Sequence, residues 1–268
     1  MAFIDFEYAG RYLSDFGFMV CSFDSNDIDT ISNGSTLTLN TVPINNGNKV
    51  LLTSSKYDEC VSSTFSICKN VCDYKDLSIN VEENSRIMKW LNRKNFNKFK
   101  IVNDYYSDIY FNSTFNISRV VINGKLVGYE LEMLTDSPFG YKEPVEYSFT
   151  ISESDIHEPR IILDTSDEIG FIYPNIEIEI HADGDLLITN EIENRTTEIK
   201  GCLDKDIITM NYPIINLKSN DNNRNIMNYF NFEFFRIANT YNECVNRIFF
   251  SLPCSVNISY SPIRKVVI

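Results

Sequence analysis

Histidine occurs twice and tryptophan once in 268 residues, and the 24 lysines and arginines fall well short of the 37 aspartates and glutamates. Each scarcity closes off a class of function. Nucleophilic catalysis by serine, threonine or cysteine usually leans on a histidine base within hydrogen-bond reach, and only His157 and His181 are on offer. His181 ends an alternating run behind Glu177 and Glu179 and reads as part of a solvated strand face, while His157 sits in a linker-like Glu-Ser-Asp-Ile-His-Glu-Pro stretch. The formal net charge of -13 repels phosphate backbones, so nucleic-acid binding is disfavoured. Glycine is sparse, and neither G-x4-G-K-[ST] nor G-x-G-x-x-G is present, which argues against nucleotide enzymes. No apolar run approaches the roughly 18 residues of a membrane span. Asp5 and Glu7 fall where an export leader needs basic and then apolar residues, so no export signal is expected.

The seven cysteines are odd in number and scattered, which suits reduced thiols in a chain large enough to fold without staples. Cys60, Cys68 and Cys72 follow a C-x7-C-x3-C spacing that lacks the tight C-x2-C knuckle of zinc sites, and the histidines are far away in sequence. Small buried hydrophobes are the simpler reading, with no metal and no cofactor expected. Carboxylates are abundant, but glycoside hydrolysis is defined by their separation in space, so abundance points nowhere. Asp183-Gly184-Asp185 lacks the later bidentate glutamate of a calcium loop and reads as a turn. No catalytic residue is nominated, and the chain is read as a non-enzyme.

What is present is strand pattern. Ile, Val, Phe, Tyr and Thr recur in short alternating runs punctuated by Asn, Asp and Gly, which predicts a mainly β protein. Asn123-Gly124 marks a hairpin over 115–134, in which Val127, Tyr129, Leu131 and Met133 alternate with Gly128, Glu130 and Glu132. A second hairpin is predicted over 176–188, with Ile176, Ile178 and Ile180 facing inward and Asp183-Gly184 turning the chain back into Leu186. One short helix is predicted, capped by Ser85, with Ile87, Trp90 and Leu91 on one face and Trp90 as a packing anchor. The basic and aromatic residues that follow, 90–100, fit a helix end leading into an amphipathic strand better than a single-strand nucleic-acid platform. The Asn-rich stretch 220–228 reads as a polar surface loop.

The length is a prior for two domains. A turn-rich Thr-Asp-Ser-Pro-Phe-Gly-Tyr stretch ends the long hairpin and places the boundary after residue 142, giving an N-terminal domain of 1–142 and a C-terminal domain of 143–268. Fourteen basic and 17 acidic residues precede that point, and 10 and 20 follow it, so the halves carry -3 and -10.

The order of these features carries a family resemblance. The opening Phe6-Glu-Tyr-Ala-Gly10-Arg-Tyr-Leu-Ser-Asp-Phe-Gly-Phe18, the helix with Trp90-Leu91, the strand around 105–111, the Asn123-Gly124 hairpin and the Ser137-Pro-Phe-Gly-Tyr141 exit together resemble the amino-terminal half of bacteriophage distal tail (Dit) proteins. Gly184-Asp-Leu-Leu-Ile-Thr-Asn190, the stretch 199–210, and the ending Asn246-Arg-Ile-Phe-Phe-Ser-Leu through Val256 to Arg264 resemble that family's carboxy-terminal sandwich. The resemblance implies an N-terminal β-barrel-like, ring-forming domain with one short helix and an extended hairpin, and a galectin-like β-sandwich projecting outward. It implies a homo-hexameric ring at the distal end of a tail, synthesised in the host cytoplasm and carried in the virion. The implied neighbours are the tail tube protein, the tail hub protein, the tape measure, and receptor-binding or baseplate proteins. Ring contacts are sought first at Phe16, Phe18, Tyr105 and Tyr106. An alternative reading, from the 13% aromatic content and the galectin-like analogy, is a carbohydrate-binding protein acting through the second domain.

Overall fold

A computed structural model describes residues 4–23, 37–45, 48–57, 60–214, 216–221, 224–240 and 243–265. The chain divides into one unit of Met1–Lys142 with Arg264–Ile268, and a second of Glu143–Ile263. Strands dominate both, and the one α-helix among the described residues lies in the first.

The first unit is built on an antiparallel sheet whose strands run, in spatial order, Arg11–Tyr12, Phe6–Tyr8, Asn97–Ile101, Ile109–Ile122, Lys125–Thr135, Ser62–Lys69 and Phe18–Cys21. The order does not close on itself, so Arg11–Tyr12 and Phe18–Cys21 stand at its two ends. The predicted long hairpin is Ile109–Ile122 with Lys125–Thr135. Asn123 and Gly124 both adopt positive φ, 52° and 76°, the geometry a two-residue type I′ turn requires. Tyr129, Leu131 and Met133 are fully buried on one face, as their alternation predicts.

Helix α1, Val81–Leu91, buries Ile87, Trp90 and Leu91. Its cap is Asn80, not Ser85. The Asn80 side chain accepts the Glu83 N–H and the Glu83 carboxylate accepts the Asn80 N–H, each at 2.9 Å, a reciprocal capping box. Ser85 lies inside the helix. Trp90 packs as an anchor: its ring stacks on Phe16 at 4.4 Å and on Phe6 at 5.7 Å, and Phe99, Phe115 and Tyr8 extend the aromatic cluster.

The second unit is a sandwich of two antiparallel sheets over a shared aliphatic core. One sheet runs Val145–Ile151, Cys254–Tyr260, Asn175–Ile180, Ile207–Asn211 and Asn216–Ser219; the other runs Arg160–Leu163, Val245–Phe250, Gly184–Asn190 and Arg195–Cys202. Ile176, Ile178 and Ile180 are buried, and Glu177 and Glu179 face out, as predicted. The predicted pairing around Asp183-Gly184 is not formed. Asn175–Ile180 pairs with Ile207–Asn211 and Cys254–Tyr260, whereas Gly184–Asn190 pairs with Arg195–Cys202 and Val245–Phe250. The turn is a corner between sheets, because each strand drives its isoleucines and leucines into the same core from the opposite side. The unit's first and last strands are neighbours, Val145 opposite Tyr260.

The Asn-rich stretch is only partly a loop. Among its described residues, Asn225 caps a 3-10 turn, Ile226–Tyr229, that buries Ile226 beneath the sandwich. Arg224 ion-pairs with Asp206 at 3.0 Å with both side chains nearly buried.

Candidate functional site

The feature that departs most from ordinary packing is a two-stranded ribbon, Leu37–Pro43 paired with Val50–Tyr57. It forms a sheet of its own, joined to no other strand among those described. Leu37, Leu39, Val42, Val50, Leu51 and Leu52 are all about half exposed or more, from 49% to 61%. Leu51 and Leu52 are adjacent along one strand and point to opposite faces, so both faces of the ribbon are apolar. A hairpin without a third strand is marginal in water, and the side-chain bonds it makes, Asn40 Nδ2 to Ser54 Oγ at 2.9 Å and Thr53 Oγ1 to the Asn40 carbonyl at 2.8 Å, are exposed. Its base is held by Tyr57, whose ring meets Phe139 edge-on at 4.8 Å. Exposed apolar surface rooted in this way is a candidate for contact with another chain, a ligand or a membrane.

A second exposed apolar point is the tip of the long hairpin, where Val121 and Ile122 are 56% and 51% exposed beside the Asn123-Gly124 turn.

The four aromatics nominated for ring contacts lie elsewhere. Phe16 and Phe18 are buried in the first core, and the Phe16 ring is covered by Trp90 and by the guanidinium of Arg11 at 4.4 Å. Tyr106 is buried too, and Tyr105 lies in the same 3-10 turn, Asp104–Tyr106. The structure brings Phe16 and Phe18 into one core but presents neither at a surface. The ribbon went unnominated. Its signal was the alternation of Leu37, Leu39 and Val50-Leu-Leu around the turn-forming residues 45–48, which reads the same whether a strand is covered by its own chain or by another.

Titration in the first unit follows packing. Burial pushes the Tyr129 hydroxyl up to about 12. Glu83 is pulled below the ordinary carboxylate range: burial pushes it up, and the Lys69 ammonium at 2.8 Å and the Asn80 N–H outweigh that. No group of three or more histidine, cysteine or carboxylate side chains able to hold a metal occurs among the described residues.

On the second unit, the outer face of the five-stranded sheet carries a groove of about 340 Å³ lined by Glu146, Ser148, Asn175, Glu177, Thr209 and Asn257. Ser148 Oγ donates to Asn257 Oδ1 at 2.8 Å across it.

Residues 1–137 match the family model described as the phage tail protein N-terminal domain, and residues 139–260 match the phage tail C-terminal domain. The chain belongs to this family of phage tail proteins. No curated protein matches the sequence. Among solved structures, the tail protein is similar to the Dit protein (gp 19.1) of phage SPP1, described as a paradigm of the hub adsorption apparatus in phages infecting Gram-positive hosts. The TM-score is 0.65 at 8% identity, over 97% of this chain and 99% of the other. The likeness spans both units and establishes that the tail protein has the Dit fold. The resemblance read from the order of sequence features therefore holds at the level of fold, and a structural role in the virion tail follows from the family.

Proposed function

We propose that this tail protein is the distal tail protein of its particle, six copies of which close into a ring at the far end of the tail. The ring joins the tail tube protein to the hub protein, surrounds the end of the tape measure, and anchors receptor-binding or baseplate proteins at its periphery. The observation that carries this reading is the ribbon Leu37–Pro43 with Val50–Tyr57. An apolar arm on an otherwise well-packed subunit is what a head-to-tail interface that closes by rotation uses to reach the next copy. Assembly takes the place of catalysis in this reading. The match in fold to SPP1 Dit supports the same position in the tail.

Light scattering on the purified protein, with negative-stain imaging of the same peak, tests it. Six copies of a 31.0 kDa chain give about 186 kDa and a central opening. A monomer that persists at high concentration and in the presence of the tube and hub proteins refutes it.

A second reading is favoured by the polar groove on the sandwich, whose amide, hydroxyl and carboxylate groups suit the hydroxyls of a saccharide. Binding to host cell-wall glycans, lost in Asn257→Ala, supports this reading; a blank glycan array removes it.

A further inference from the structure

Cys21 ends the strand Phe18–Cys21 at the open end of the first sheet, and Cys68 lies on its neighbour Ser62–Lys69. The register pairs Met19 with Cys68 and Cys21 with Ser66. Directly opposed residues share a face and alternate residues return to it, so Cys21 and Cys68 are diagonal neighbours on one face. Phe18, Val20, Phe65 and Ile67 occupy the other face and pack into the core. Met19 lies opposite Cys68 on this face, and the rest is polar, with Ser66, Glu130, Glu132 and Asn116 along it. Cys68 is nevertheless only 8% exposed.

The cover is local. Phe23, two residues beyond Cys21, reaches across the sheet to Gly128, the residue opposite Cys68 on the next strand. A Cβ on Gly128 would stand 2.5 Å from the Phe23 ring and 2.5 Å from the Ile67 carbonyl, so glycine is needed there for the ring to lie down. Cys21 and Phe23 thus flank Cys68, and Cys21 is itself half-buried.

We propose that Cys21 and Cys68 are an oxidisable dithiol that closes to a cross-strand disulfide when the protein meets a small-molecule disulfide. The half-exposed Cys21 thiolate attacks the reagent, forming a mixed disulfide and releasing one reduced thiol. The Cys68 thiolate then attacks the Cys21 sulfur, forming the Cys21–Cys68 bond and releasing the second. Two electrons pass from the protein to the reagent, and the two cysteine protons leave on the two released thiols. Diagonal neighbours on paired strands are about 7–8 Å apart at Cα, just past the limit of roughly 7 Å that a disulfide spans without backbone movement. Cys21 is the last residue of its strand, so closing that gap bends the chain where it already leaves the sheet, while Val20 stays held to the Ile4 carbonyl at 3.0 Å. A bond formed at that limit is strained and readily reduced, which suits a reversible latch. Burial, and then the adjacent Cys68 thiol, hold Cys21 above the ordinary thiol range, so little thiolate is present and the exchange is slow. The loop it closes contains the apolar ribbon.

The test treats the full-length protein with oxidised glutathione under native conditions, then denatures, alkylates and maps the cysteine peptides by mass spectrometry. The expected product joins the Cys21 and Cys68 peptides, with both thiols lost together and restored by a mild dithiol. In Cys68→Ser, Cys21 is expected to stop at the glutathione adduct; in Cys21→Ser, Cys68 stays free beneath its cover. The exposed Cys60 and Cys72 serve as internal controls for reagent activity. Cys21 and Cys68 both remaining alkylatable while Cys60 and Cys72 carry glutathione overturns the proposal, as does either one joining a third cysteine. The wild-type result decides the matter even if a variant folds poorly.

Discussion

The indole Nε1–H of Trp90 donates a 2.8 Å hydrogen bond to the carbonyl of Tyr8, tying helix α1 to the first strand of the sheet. The same indole is stacked between Phe6 and Phe16, so one side chain holds the amino-terminal segment, the helix and the aromatic core together.

Replacing Trp90 therefore tests the first unit as a whole. Trp90→Ala is expected to cost about 3–5 kcal/mol of stability through the cavity it leaves. Trp90→Phe, which keeps a ring but loses the hydrogen bond, costs about 1 kcal/mol for the bond alone. Urea unfolding followed by circular dichroism measures both. In the wild type, fluorescence of the single tryptophan reports the first unit selectively.

Acid should weaken the first unit through Glu83. A carboxyl held below its unfolded value stabilises the fold at pH above that value, about 4.3 for glutamate, and the contribution disappears as pH falls through the folded value. The urea midpoint of the first unit is expected to drop below about pH 4.3, and Glu83→Gln to remove part of that drop. An identical acid limb in the variant would show that Glu83 contributes nothing to it.

The ribbon should be dispensable for folding and needed for association. Leu39→Ser with Leu51→Ser changes two side chains that are 54% and 58% exposed in the single chain. Circular dichroism and melting temperature should stay unchanged. Burying a leucine contributes about 1.5–3 kcal/mol, so the pair should weaken self-association by more than about tenfold, read by sedimentation.

In the second unit, Arg224→Ala leaves the Asp206 carboxylate nearly buried without its cation. The expected loss is about 3–5 kcal/mol, seen by calorimetry as an earlier melting of the sandwich. Arg224→Met combined with Asp206→Asn should recover a large part of it, because the burial cost of the unpaired charge is removed along with the pair.

What was legible in the sequence was local. Tyr129, Leu131 and Met133 announce a strand face by alternation, and Ile87, Trp90 and Leu91 announce a helix face by spacing. The cap was misplaced because Ser85 is an acceptable capping residue, whereas Asn80 followed by Glu83 three positions later completes a reciprocal pair. The pairing of Asn175–Ile180 differs from the expectation because Asp183-Gly184 is a strong short-range turn signal, while the true neighbours, Ile207–Asn211 and Cys254–Tyr260, lie farther along the chain. The candidate site was the hardest part. Phe16 and Leu39 are both apolar residues in strand-rich surroundings, yet one is buried under Trp90 and the other stands in solvent. Residue type fixes the wish to be covered and says nothing of which chain does the covering.

The pairing of Val145 with Tyr260 brings the two ends of the sandwich side by side, and the chain leaves the first unit after Lys142 and re-enters it at Arg264. The sandwich is thus an insert in the sequence of the first unit, with its own two ends close together. Such a module can be exchanged for an unrelated one with equally close ends, without rethreading the host unit. The first unit is in this sense a chassis, whose own sequence brackets a replaceable insert.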